Sequence, residues 1–172
     1  MSFRMPSFPN PVNDVAARTV ATGVVLMAAI AIVAGQLWLT IPLAYGFVAR
    51  VVAGPRFSPL GQLATRVVAP RLPAYEKLVP GPPKRFAQAI GAVFTVGALI
   101  LWLAGVGVAA AVLLGVLMVP ATLEAAFGYC VGCNIFAMLM NVGILPDKVC
   151  LECADIWGPA GAGRRTAGTT AR

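Results

Sequence analysis

Histidine is absent from the 172 residues. That removes Ser-His-Asp and Cys-His catalysis and every imidazole metal site. Any ligand, nucleophile or proton carrier must therefore come from cysteine, carboxylate, Lys, Tyr, Ser or Thr. Charge is scarce too: 11% of residues are charged, against about 25% in soluble domains. With 59% hydrophobic residues and a mean hydropathy of +0.86, the chain reads as an integral membrane protein whose main partner is the lipid bilayer. Acidic residues number six against thirteen basic ones, a net charge of +7. In a soluble protein that surplus would suggest nucleic acid. Here retention of basic residues on the cytoplasmic face explains it, and no nucleic-acid partner is expected. The start, MSFRMPSFPNPVN, lacks the apolar stretch of a cleavable signal. Pro6, Pro9 and Pro11 prevent a continuous helix, so residues 1–14 read as an extended arm, with Asn13 or Asp14 as the cap of a first helix.

Two long uncharged runs follow. Thr19–Ala49 as a single helix would be about 46 Å long, against a hydrocarbon core of about 30 Å. It is therefore read as two spans, 15–35 and 37–54, turning at Gly35–Gln36. Pro42 lies in the first turns of the second, where a missing N–H costs least. Phe86–Leu123 divides in the same way at Gly105-Val106-Gly107, giving spans 86–104 and 108–127. Gly107, Ala111 and Gly115 make a row of small residues, from which close packing of the last span on a neighbour is expected. The fold class predicted is all-α: four transmembrane helices in two hairpins, a short amphipathic interfacial helix and a C-terminal cysteine-bearing segment. Residues 15–157 form a single transmembrane domain.

The interfacial helix belongs to the loop 55–85. Ser58-Pro59 is a helix start with Ser as N-cap and Pro at N1. Leu60, Leu63, Ala64, Val67 and Val68 recur at helical spacing, and Pro70 ends the pattern. Basic residues crowd this loop. Arg56 and Arg66 are candidates for an anion or partner surface, while the plainer reading is orientation and headgroup contact. With four spans, all Lys and Arg residues fall on one side and the two short turns carry none. Both termini are therefore expected in the cytoplasm, with the protein in the bacterial inner membrane. The uncharged stretch Ala125–Pro146 could supply a fifth span. That would put Lys148, Arg164, Arg165 and Arg172 outside, so a half-inserted or interfacial helix near Cys133–Val142 is preferred. The tail 158–172 reads as disordered.

The four cysteines form two pairs, Cys130/Cys133 and Cys150/Cys153, in the pattern C-x2-C-x16-C-x2-C within 128–157. This spacing suits a tetrathiolate site for Zn2+, although neither pair carries the glycine common after zinc-ribbon knuckles. It suits two redox dithiols equally well. A cysteine at the start of a helix has a lowered pKa, and Cys130 or Cys133 would occupy that position. Packing alone is the third reading. Glu124 is the one carboxylate near membrane depth. It is expected to pair with Arg18 or Arg50, or alternatively to exchange protons with Cys130. Glu152 and Asp155 beside the second pair are expected to be solvated, and Met138 and Met140 to pack.

The blocks FPNPVND, LAYGFVARVVAGPRFSPLGQLATRVVAP, VPGPPKRFAQAIG, LEAAFGYCVGC and VCLECADIW resemble a bacterial membrane family, the domain of unknown function numbered 4395. The resemblance implies a polytopic membrane fold and carries no established activity. It implies association with thioredoxin-like and sulfurtransferase proteins, and it marks Cys130, Cys133, Cys150, Cys153 and Glu124, then Arg56 and Arg66. The expected function is handling of sulfur or thiol-redox equivalents, with Cys130 and Cys133 reactive, Glu124 their acid/base partner, and Cys150 and Cys153 resolving. The alternatives are a non-catalytic protein held by a structural zinc and a transporter of a small sulfur anion. The last would need a homo-oligomer, since four spans enclose only a thin pore.

Overall fold

The computed structural model describes residues 12–71 and 78–144. Cys150, Cys153, the tail and most of the arm lie outside the described residues. Asn13 caps the first helix, α1 (Asp14–Val33), accepting the Val15 N–H at 2.9 Å. A turn at 34–36 leads through a 3-10 turn, Leu37–Leu39, into α2 (Thr40–Ala53). The chain breaks at Gly54–Arg56 and restarts as α3 (Pro59–Leu63), which runs on through π and 3-10 turns to Arg71. Then come α4 (Gly81–Leu103), α5 (Gly107–Phe127) and α6 (Val131–Asn141). Four stretches are long and apolar enough to cross a membrane: Asp14–Val33, Leu37–Arg71, Gly81–Leu103 and Gly107–Phe127. In lipid a helix meets its own backbone hydrogen bonds, so uncharged runs of this length can take this form.

The packing order differs from the chain order. α1 lies chiefly against α5, α2 against α4, and α4 against α5, whereas α1 and α2 meet only loosely despite their short connection. The core they share runs through Val20, Val24, Ala28, Leu43, Phe47, Ala98, Ala110 and Leu114. Many large apolar side chains, such as Leu26, Val93, Val112 and Val119, remain exposed, as lipid-facing residues of a span would. The last span does pack closely, on α1 and α4, but the row Gly107, Ala111 and Gly115 is only partly its seam: a Cβ on Gly107 would lie 3.3 Å from Leu37 Cδ1. A Cβ on Gly115 would meet nothing within 4 Å, and the buried face of α5 is instead Ala110, Leu114 and Leu117. Gly115 lies off the seam because α1 and α4 embrace a neighbouring strip of the helix.

The tight helix crossing lies between α2 and α4. A Cβ on Gly91 would fall 2.1 Å from Cε1 of Phe47, a buried ring. Gly91→Ala is therefore expected to lower stability by about 1–3 kcal/mol, the usual range for overpacking. Thermal unfolding in detergent would read this, and an unchanged midpoint would mean that the ring swings aside freely.

The segment after α2 folds back on the bundle. Ser58 caps α3 by accepting the Gly61 N–H at 3.3 Å, with Pro59 at N1. Leu60 covers Gly23 of α1, and Ala64 is buried in the core. The apolar face of this short helix is thus turned on α1. At the other end of the loop, Val12 pairs with Val79 and Asn13 with Leu78 in a two-residue antiparallel ladder. That ladder holds the starts of α1 and α4 side by side, and the site is built there.

A candidate dithiol site beside a buried ion cluster

The starts of α1 and α4 and the end of α5 meet at one end of the bundle. Lys84 on the first turn of α4 is buried, and its Nζ lies 2.7 Å from Glu124 Oε1 and 3.3 Å from Asp14 Oδ1. Because Asn13 supplies the cap of α1, the Asp14 carboxylate is available to this cluster. Arg18 does not take Glu124. Its Nη2 donates to the Ala126 carbonyl at 2.6 Å and its Nε to that of Ala125 at 3.4 Å. A guanidinium there satisfies orphan carbonyls at the negative end of the α5 dipole.

Arg50 does not pair with Glu124 either. It is 5% exposed, donating Nε to Gln88 Oε1 at 2.8 Å and Nη1 to Ser58 Oγ at 2.9 Å, and it lies 4.5 Å from the centre of the Phe47 ring. Both expected partners of Glu124 are thus engaged elsewhere, and Lys84 replaces them. A local signal for Lys84 exists in the sequence. Lys84, Gln88 and Gly91 recur at i, i+4 and i+7, a polar and small stripe on one face of an apolar helix.

Gly128 turns the chain back from α5. Its φ of 68° is the left-handed conformation that a Cβ disfavours. Its N–H bonds the Glu124 carbonyl at 2.9 Å, and that of Tyr129 bonds the Leu123 carbonyl at 3.3 Å, closing the helix end. Two residues later Cys130 is the N-cap of α6, its Sγ accepting the Cys133 N–H at 3.4 Å. Asn134 reinforces the turn by donating Nδ2–H to the Cys130 carbonyl at 2.9 Å. Gly132, between the two cysteines, lets α6 touch α4: a Cβ there would lie 2.5 Å from the Ala87 Cβ and 2.7 Å from its Cα. Phe136 stacks obliquely on Phe86 with ring centres 5.6 Å apart.

The two thiols differ sharply. A hydrogen bond from the Cys133 thiol lowers the pKa of Cys130, with Lys84 and the capped Cys133 N–H adding to the effect, against burial and Glu124, which raise it. Donating that bond holds the proton on Cys133, whose pKa is pushed up, burial adding to the rise. Cys130 is buried and Cys133 half-buried. Beside them lies a half-open cavity of about 100 Å³, bounded by α1, α4, α5, α6 and Phe47 of α2, with Cys130, Glu124 and Gln88 in its wall.

Of the residues singled out in the sequence, Cys130, Cys133 and Glu124 meet at this end of the bundle. Arg56 and Arg66 do not belong to the cavity wall. Both are exposed on the segment after α2, linked through Gln62, which takes the Arg66 guanidinium at 3.3 Å and donates to the Arg56 carbonyl. Among the described residues no group of three or more His, Cys, Asp or Glu side chains could hold a metal ion, and a four-thiolate zinc would draw on Cys150 and Cys153. No match was found among curated proteins or among solved structures. Residues 12–141, which carry the four spans, the ion cluster and the first cysteine pair, match the family described as domain of unknown function (DUF4395), and the chain belongs to that family.

Proposed function

We propose that the protein carries thiol-redox equivalents at the cytoplasmic face of the inner membrane, with Cys130 and Cys133 as the redox couple. The observation that carries this reading is the asymmetry of the pair. One sulfur caps a helix, with its thiolate favoured, and the other, more accessible, keeps its proton. In the oxidised state an incoming thiolate attacks the more accessible sulfur, Cys133, and the Cys130 thiolate departs, a lower-pKa thiol leaving faster. The second thiolate of the incoming dithiol then displaces Cys133, which takes up a proton. The donor becomes a disulfide, and its two electrons reside in the Cys130 thiolate and the Cys133 thiol. Cys150 and Cys153, beyond the matched segment 12–141, would supply that dithiol in the same chain; a thioredoxin-like or sulfurtransferase protein would supply it in trans. The charge bias supports the cytoplasmic placement, with Arg18, Lys84 and Arg85 all near the end where the dithiol lies.

Alkylation of the reduced protein by iodoacetamide, followed by mass spectrometry across pH, tests this. Cys130 is expected to react with a midpoint below the ordinary 9.0 and Cys133 above it. The linkage has a defined sign. A depressed folded-state pKa makes Cys130 stabilising above its unfolded pKa, and that contribution is lost as pH falls through the folded value. Equal reactivity of the two cysteines would remove the basis of the proposal. One tightly held zinc per chain with no titratable thiols would favour the structural-metal reading instead.

A further inference from the structure

The cavity beside Cys130 has no role in exchange with an aqueous dithiol, which approaches through Cys133. Its wall is apolar where α1 and α5 supply it, through Val20, Val24 and Leu117, and polar at Cys130, Glu124 and Gln88. We propose that it receives one edge of the ring of a lipid-soluble quinone, which accepts the two electrons of the Cys130–Cys133 pair. The inference rests on the redox reading of these cysteines and names their acceptor on the membrane side.

Three observations select this class of occupant. A small sulfur anion would exchange its hydration shell for apolar walls and the Glu124 carboxylate. A neutral ring loses little on entry. The volume, about 100 Å³, is below the roughly 150 Å³ of a cavity known to hold benzene, so the cavity takes one edge of the ring, with the rest of the ring and the isoprenoid tail on its open side. The polar groups also match a quinone carbonyl. Arg50 can only donate, so its bond to Gln88 Oε1 fixes the amide with the Nε2 end free of partners among the described residues. That end is a hydrogen-bond donor in the cavity wall. Behind it Arg50 has no ion pair among the described residues, and its charge favours a quinone oxygen that gains electron density on reduction.

The step balances. The Cys130 thiolate, the Cys133 thiol, the quinone and one further proton give the Cys130–Cys133 disulfide and the quinol. One S–S bond forms, two electrons pass to the ring, and its two protons come from Cys133 and from the cytoplasmic side.

The test uses the full chain, reduced and freed of reductant, in nanodiscs of quinone-free lipid under argon, with decylubiquinone as the probe. One quinol is expected for every two thiols lost, at a rate well above that of Cys130→Ala. Gln88→Leu, which deletes the donor, and Ala121→Leu, which fills the cavity, are each expected to slow the reaction about tenfold at low quinone. Circular dichroism guards against misfolding, and Ala121→Leu keeps the test decisive if Gln88→Leu does not fold. A wild-type chain that cycles in a dithiothreitol redox buffer but reduces quinone no faster than Cys130→Ala overturns this inference and leaves the redox reading intact. So do wild-type quinone rates in the folded variants. Failure to cycle in the redox buffer overturns the redox reading itself.

Discussion

Lys84→Met is expected to destabilise the protein by about 3–5 kcal/mol, the range for breaking a buried ion pair from one side. Lys84 Nζ is the shared partner of Glu124 at 2.7 Å and Asp14 at 3.3 Å, and the side chains of all three are largely withdrawn from solvent, at 6%, 14% and 16% exposure. Methionine matches the stem but leaves two carboxylates facing each other where the cation stood. Adding Glu124→Gln should restore part of the loss, because it removes one stranded charge. Denaturant unfolding of the four proteins in one detergent gives the double-mutant cycle, and a Lys84→Met loss below about 1 kcal/mol, the scale of a surface pair, would contradict the buried triad. The same substitution acts on the thiol. Lys84 helps to lower the pKa of Cys130, so its removal moves the alkylation profile of Cys130 to higher pH and slows the reaction at neutral pH.

The second large effect is expected from Gly132→Ala. The added methyl would lie 2.5 Å from the Ala87 Cβ and 2.7 Å from its Cα. The second atom is backbone and cannot rotate away. Overpacking of this kind costs about 1–3 kcal/mol, and here it is concentrated on α6, so that helix should lift from α4 while the four spans stay folded. Ala87→Gly on the same background relieves the clash with the methyl group but leaves the one with the main chain, and should rescue only in part. The readout is the difference between the two cysteines. Lifting α6 carries Cys130 away from Lys84, and the separation between the alkylation midpoints of Cys130 and Cys133 should shrink. Retention of the full separation would mean that the pair keeps its asymmetry without α4 packed beneath it.

Much of the architecture was legible in the chain because its causes are local. Thr19–Ala49 is too long for one crossing and Phe86–Leu123 likewise, so each had to divide. Gly35 and Gly105 turn the chain with positive φ at both divisions. Ser58-Pro59 started a helix as its chemistry dictates. The site was only half legible. That Cys130 and Cys133 would share one helical turn follows from their spacing. That Glu124 would be held by Lys84 does not, because the two are forty residues apart. The nearer-looking choices, Arg18 and Arg50, had better uses: Arg18 on the exposed carbonyls of α5, Arg50 on Gln88 and Ser58. The row of Gly107, Ala111 and Gly115 pointed to a last span packed on its neighbours, as α5 is, but the buried face is Ala110, Leu114 and Leu117, because small residues permit a close approach without compelling it.

By itself, the sequence determined that this chain belongs in a bilayer, that it can cross it four times, and that one pair of cysteines opens a short helix. These follow from hydropathy, from the length of a helix relative to a membrane, and from capping chemistry, all properties of neighbouring residues. Only the tertiary structure decided what surrounds that pair. The ladder Val12–Val79 and Asn13–Leu78 brings Asp14 beside Lys84. The packing of α4 on α5 brings Lys84 to Glu124, and the gap at Gly132 admits α6 to the same corner. A buried charge takes whichever partner the adjacent helix offers, and which helix is adjacent depends on how the side chains of the whole bundle fit together.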